Sequence, residues 1–262
     1  MSTIPAAATP SKALVSLARC ALLLLFLAGW EILPRLGVIP STTFPPLSTV
    51  LATVVDNREF GRHAVTSTAR AFGGLAAAIA VGLPLGLLLG GWFPGTRQAL
   101  EPLMEMFGQA NPVILSHIVV LFIGIGTKTQ LFIIAWLSIW PIAFSTISGV
   151  RSVNPQLLKA AGSFGLGRWK LFTAVVLPSA APAIITGLRL AAGYSFIMLI
   201  AAELMGATTG LGYVMATSAE TADMKSLAAA ALTVTALGVA TDALLKLAGR
   251  RVVTWGYQGV TG

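Results

Sequence analysis

Only 10% of the 262 residues are charged and 56% are apolar, whereas a soluble domain carries about 25% charged residues, so water is not this chain's main solvent. A soluble fold would need polar helix faces or alternating strands between its apolar positions, and a closed β-barrel would need segments of about ten alternating residues; neither pattern occurs. The formal charge of +8 comes from basic residues placed around apolar runs, which argues against a nucleic-acid partner and for a lipid bilayer.

A bilayer core is crossed by roughly 20 apolar helical residues. Residues 1–12, rich in Ala, Pro, Ser and Thr, read as a disordered tail. Leu14 to Leu33 reads as a first, uncleaved span, with Arg19 and Glu31 toward its ends and Cys20 expected as a buried, inert thiol. Pro34 to Arg70 contains Pro40, Pro45 and Pro46, then a stretch from Leu47 to His63 that suits a helix at the outer surface. The second span, Ala71 to Phe93, is uncharged, and its Gly73, Gly74, Gly82, Gly86, Gly90 and Gly91, several at spacings of four, suit close helix packing or, alternatively, a flexible gate. A turn at Pro94–Gln98 leads to a third span, Met106 to Thr127, and a tight hairpin leads to a fourth, Thr129 to Val150. Ala183 to Met205 and Ser226 to Leu247 complete the count. The fold class expected is all-α integral membrane with about six transmembrane helices: a membrane domain over 13–250 and a cytoplasmic tail over 251–262. The bias of Lys and Arg, including Arg151, Lys159, Arg168 and Lys170 in one loop and Lys246, Arg250 and Arg251 near the end, places both termini in the cytoplasm.

Ionisable and polar groups at membrane depth are costly and carry functional hypotheses. Asn111, Ser116 and His117, with Pro112 freeing a backbone carbonyl, suit either a water-filled path or hydrogen bonds between helices, and counting along a straight third span puts His117 near mid-bilayer. Glu203, near the outer end of the fifth span, suits a gate, a structural hydrogen bond or substrate contact. Arg189, near the inner leaflet, suits snorkelling or capping of carbonyls. Fourteen residues separate the two, about 21 Å along a helix, so each needs another partner.

The loop 151–178 is too polar to span and too long for a hairpin. Asn154 suits a helix cap and Pro155 the first helical position. Gly165 and Gly167 break that helix, and Trp169, Leu171, Phe172 and Val175 resume an apolar pattern that ends at Leu177-Pro178. Lys159-Ala160-Ala161, Gly165, nine residues, then Val175-Val176-Leu177-Pro178 resembles the EAA loop of ABC importer permeases, with Lys in place of the leading Glu and Val in place of Ile. Thr186-Gly187-Leu188-Arg189-Leu190-Ala191 and Ala201-Ala202-Glu203-Leu204 resemble the fifth helix of the nitrate/sulfonate/taurine branch, and Ser67-Thr68-Ala69-Arg70-Ala71-Phe72 is similar to that branch as well.

The resemblance implies a type I importer permease: a cytoplasmic coupling helix, in which Lys159, Ala160, Ala161, Gly162, Gly165 and Arg168 meet an ATPase, and a path to which Asn111, Ser116, His117 and Glu203 are assigned. It implies a second permease copy, two ATP-binding subunits, a periplasmic binding protein, the bacterial inner membrane and a small anionic substrate of the nitrate, sulfonate or taurine class. ATP and magnesium then belong to the partner ATPase and no cofactor to this chain. Gly124-Ile125-Gly126-Thr127-Lys128-Thr129 lacks the Gly before Lys of a phosphate-binding loop and sits between spans. Two histidines and one cysteine give no metal or catalytic cluster, so the chain reads as non-catalytic. The alternative is an ion-gradient-driven transporter in which His117 or Glu203 titrates.

Overall fold

The computed structural model describes residues 12–92 and 94–252, and all regular structure among them is helical. The tails expected over 1–12 and 251–262 lie almost wholly outside the described residues. Five segments are long and apolar enough to cross a bilayer: Leu17–Arg35, Arg58–Gly91, Thr127–Arg151, Arg168–Leu204 and Met224–Arg251.

The first, α1 (Lys12–Arg35), is fastened only at its far end. The Trp30 indole donates to the Pro45 carbonyl at 3.2 Å, and the Glu31 carboxylate accepts from the Ser48 N–H at 2.9 Å and the Ser48 hydroxyl at 2.8 Å. Leu22 to Phe26 stay 60% to 75% exposed, and Cys20, expected buried, is exposed too, because no described residue covers this stretch of the helix. The next helix, α2 (Leu47–Asp56), is the surface helix expected from the sequence, and it buries Val50 against Leu211, Ala229 and Ala230. Asn57 then caps α3 (Arg58–Leu87), accepting from Glu59 N–H at 3.0 Å.

Helix α3, extended by a π turn over Leu88–Trp92, lies along α6 (Thr127–Arg151) on its glycines. A Cβ on Gly74 would meet Ile134, one on Gly82 the Ile139 carbonyl and Ile142, one on Gly86 Thr146, and one on Gly90 Val150. The contacts advance along both helices together, so α3 and α6 run parallel at backbone distance, which is the close packing small residues permit. A Cβ on Gly86 would stand 2.6 Å from Thr146 Cβ with the Ala143 carbonyl at 2.9 Å, so neither side can yield. Gly86→Val is therefore expected to lower stability by about 1–3 kcal/mol or more through overpacking, read as earlier unfolding in mild detergent.

Two parallel helices require the chain between them to cross back. It does so as a broken span: α4 (Pro94–Gly108) and α5 (Pro112–Ile123), separated at residues 109–111. Met104 meets Ala143 and Ile147, Gly108 meets Trp140 and Phe144, and Val119 meets Ile133, so the pair runs antiparallel to α6. The turn expected at Pro94–Gln98 is thus the start of a helix, where Pro is tolerated, and the third span is not the single straight helix 106–127. Pro112 has no N–H to continue α4 and opens α5 instead.

After α6 come α7 (Pro155–Ser163) and the four-residue α8 (Arg168–Leu171). The latter does not stop at Leu177-Pro178 as expected: a π turn over Phe172–Val176 carries it directly into α9 (Leu177–Leu204). Widening the helix there accommodates Pro178, which offers no N–H and crowds the preceding turn. Helix α9 packs antiparallel on α6, with Gly149 against Ala183 and Gly187 against Ser145. A short α10 (Leu211–Glu220) follows, then α11 (Met224–Val252), which returns along α9 with Gly238 against Phe196 and Gly249 against Ile185. The described C-terminus therefore lies at the same end of the bundle as α7.

Asp223 caps α11, accepting from the Lys225 and Ser226 N–H groups at 3.2 and 3.3 Å. Hydrogen bonding by Ser226 holds its carboxyl below the ordinary aspartate range, against a smaller opposing effect of burial. A depressed value means the cap stabilises at all pH above the unfolded aspartate's titration and is lost as pH falls through the lower folded one. Asp223→Ala is expected to cost about 1 kcal/mol at neutral pH, and the difference between variant and native melting should vanish only in strong acid.

Candidate functional site

Two assemblies sit at opposite ends of the bundle. At one end, α6 closes at Arg151 and the chain turns into α7. The Asn154 side chain accepts from the Gln156 N–H at 2.9 Å with Pro155 at the first helical position, so this helix is started by its own sequence. It ends equally firmly. Gly165 N–H donates to the Gly162 carbonyl at 2.9 Å and Leu166 N–H to the Ala161 carbonyl at 3.4 Å, with Gly165 at φ +70, a left-handed conformation that favours glycine.

Lys159, Ala160, Gly162, Gly165 and Arg168 all stand exposed at this end. Ala161 does not; at 8% exposure it faces the chain's own side. The open surface is completed by Phe164, 85% exposed, and Trp169, 69% exposed, two large apolar side chains the sequence reading had not assigned to a partner. A helix fixed at both ends by its own sequence is stiffer than a loose loop of the same length.

The other end is built around Glu203 in the last turn of α9. Its side chain has no solvent exposure, and it accepts from the Ser67 hydroxyl at 2.8 Å, from Arg70 Nη1 at 2.8 Å and from the Gly212 N–H at 2.8 Å. Arg70 continues to the Thr209 carbonyl and hydroxyl at 2.5 and 3.1 Å. Ser67 in turn accepts from the Leu211 N–H at 2.7 Å, and His63 Nδ1 accepts from the Gly210 N–H at 2.9 Å. Two turns of α3 thereby tie the end of α9 to the start of α10, where the carboxylate also meets the positive end of the helix dipole. Gly210 is irreplaceable here, since it takes φ +121 and a Cβ on it would overlap the Glu203 carboxylate.

The sequence marks Arg70 only as the end of the connection before the second span and as part of a resembling motif; the structure buries it as the partner of Glu203. His63, Ser67 and Arg70 recur at spacings of four and three, so one helical face presents them, and that polar stripe was the available signal. Arg189, expected to snorkel or cap carbonyls, instead donates from Nε to Asp242 Oδ1 at 2.8 Å on α11, with Lys246 on the second oxygen at 2.8 Å. A carboxylate on the antiparallel neighbour is the stronger partner.

The polar residues of the third span lie elsewhere than a straight helix implies. Ser116 is buried and its hydroxyl contacts the Met205 sulfur, just beyond the end of α9, while Val119 packs on Ile133 and Ala202. His117 is therefore near the Glu203 end rather than at mid-depth, on the short helix that begins beyond the break at residues 109–111. Asn111 and His117 are exposed on the chain's surface, whereas Ser116 and Glu203 are enclosed in this conformation.

The family model for binding-protein-dependent transport system inner membrane components matches residues 82–254, well over half of the chain. The chain belongs to this family. The permease is 30% identical over 241 residues to the taurine transport system permease protein of Escherichia coli, covering 89% of this chain and 87% of the relative. It is 31% identical over 192 residues to the formylaminopyrimidine transport permease protein of Halalkalibacterium halodurans, with 72% and 76% covered. Its fold matches the inward-facing MetNI methionine ABC transporter with a TM-score of 0.59 at 20% identity, over 75% of this chain and 95% of that one. An amino acid ABC transporter crystallised with histidines matches with the same score at 17% identity, over 77% and 98%. The permease is thus a multi-pass inner-membrane subunit of an ABC-type importer with the type I fold, and is not itself a catalyst.

Proposed function

We propose that two copies of this permease enclose the path by which a small anion, of the sulfonate or taurine class, enters the cell after delivery by a periplasmic binding protein. Two ATP-binding subunits dock on the α7 ends, so that α7 and both termini are cytoplasmic and α2, α10 and the Glu203 cluster are periplasmic. The observation that carries this reading is α7 itself, a capped helix exposing Ala160, Gly162 and Phe164 at one end of the bundle. Small residues let a partner backbone approach, and a large apolar side chain beside them fills a groove. The relative named for taurine transport supports the sulfonate-bearing part of that class.

Two measurements test it. Reporter fusions at residue 160 and after residue 250 are expected to report cytoplasm, and a periplasmic signal from either reverses the orientation. The cognate ATPase is expected to co-purify with the permease in mild detergent; its absence from a folded preparation removes the coupling role.

A further inference from the structure

Three of the five apolar segments meet around one cavity at the α7 end. It has a volume of about 270 Å³ and is bounded by Gly90 and Gly91 in the π turn after α3, Val150 at the end of α6, Leu158 of α7, and Arg168 and Phe172 where α8 runs toward α9. The segments Arg58–Gly91 and Thr127–Arg151 stop at this level and Arg168–Leu204 starts there, so the cavity straddles the boundary between the apolar spans and water. Both π turns found among the described residues, Leu88–Trp92 and Phe172–Val176, contribute to its wall. A π turn widens a helix, and glycine adds to the space: a Cβ on Gly91 would meet only Val150, at 3.7 Å.

Apart from Arg168, the lining side chains are those of glycine, valine, leucine and phenylalanine, which offer water no hydrogen bond, so water is a poor occupant. The one polar side chain is a guanidinium, whose planar fork of N–H donors matches a phosphate. The loop 151–178 around it holds four basic residues, Arg151, Lys159, Arg168 and Lys170, and no Asp or Glu. Trp169, next to Arg168 in α8, is 69% exposed, and such amphipathic rings settle at the level of lipid headgroups. An apolar slot with a positive rim at the membrane boundary is complementary to an anionic amphiphile. Free phosphate would leave the apolar walls uncovered, and an uncharged acyl chain would leave the guanidinium unused.

We infer that this cavity holds one anionic phospholipid, with its phosphate on Arg168 and the start of an acyl chain against Gly91, Val150 and Leu158. Lipid in this position braces α7 through Leu158 and both π turns through their open sides, which stiffens the link between the exposed helix and the spans α3 and α9. The site is independent of the transported substrate. The resemblance assigns Arg168 to the ATPase contact; its place on the cavity wall gives it a partner on the membrane side. A general positive bias of this loop attracts anionic lipid to all four basic residues alike, whereas a built site depends on Arg168 and on the space beside Gly91.

The test is native mass spectrometry of the permease released from nanodiscs containing equal amounts of phosphatidylglycerol and phosphatidylcholine. One phosphatidylglycerol per chain is expected to survive release, favoured over phosphatidylcholine by about tenfold, the effect of one charge-assisted hydrogen bond. Arg168→Gln should remove the preference, and Arg168→Lys should keep part of it. Gly91→Leu changes no charge and should displace the lipid by filling the cavity. Gly91→Ala, expected to weaken retention by a smaller factor, is read in its place if the larger side chain lowers the melting temperature. Lys159→Gln removes a charge from the same loop at a position that does not line the cavity, and retention should stay as in the native chain. Retention of no lipid, an unchanged preference in Arg168→Gln, or undiminished retention in both Gly91 variants overturns the inference. Equal loss in Lys159→Gln and Arg168→Gln overturns it too, by reducing the site to a diffuse positive surface.

Discussion

Arg70→Ala is expected to be among the most destabilising single substitutions in the chain, by about 3–5 kcal/mol, because it leaves the Glu203 carboxylate enclosed without its counter-charge. The guanidinium also holds the Thr209 carbonyl and hydroxyl, so its removal frees the connection between α9 and α10 as well as one ion pair. Ser67 and the Gly212 N–H still bind the carboxylate, but neither carries full positive charge. The physical cause distinguishes this from loss of packing: replacing both partners with apolar residues, Arg70→Met with Glu203→Met, removes the uncompensated charge and should be less damaging than Arg70→Ala alone. Thermal unfolding in detergent measures the order. A double variant worse than either single would mean that shape, not charge, holds this end together, and singles within about 1 kcal/mol of native would deny the cluster a structural role.

Loss of ATPase coupling is the expected result of Ala160→Trp and of Gly165→Val. Ala160 lies on the open side of α7, so a bulky ring there blocks approach of a partner without touching the permease core. Gly165→Val acts differently. It places a β-branched residue at φ +70 and distorts the turn returning the chain to the membrane. Ala161→Trp is the poorer probe, since Ala161 is buried within the chain and bulk there disturbs the loop's own packing. Both informative variants should insert and melt close to native while ATPase co-purification and binding-protein-stimulated hydrolysis fall by about tenfold or more. Lys159→Glu, which restores the residue usual at that place in the resembled loop, should be tolerated unless the ATPase groove is itself acidic there. Full docking and full hydrolysis in both Ala160→Trp and Gly165→Val would mean that coupling runs through another segment.

Local signals in the sequence were sufficient for α7: Asn154, Pro155 and Gly165 act within a turn of themselves, and both ends of the helix fall where those residues put them. Glycine spacing in α3 similarly pointed to close packing, since each acts on the helix face it occupies. What depends on a distant partner was not legible. Nothing near Arg70 says that Glu203, on another helix, will neutralise it, and nothing near Arg189 names Asp242. The third span differs for a related reason, because a count of apolar residues reports how much chain the bilayer can hold but not that the helix is interrupted at residues 109–111. Ala161 shows the same limit within one turn of helix, as sequence identifies a small residue without saying which side it faces.

This chain is expected to move its substrate by a partner's ATP hydrolysis. The direct test is uptake by proteoliposomes holding the permease, the ATPase and the binding protein, with ionophores collapsing every ion gradient. Uptake that requires ATP and the ATPase and persists without a gradient is the result predicted here. Uptake by the permease alone, driven by a proton or sodium gradient and indifferent to ATP, would contradict it.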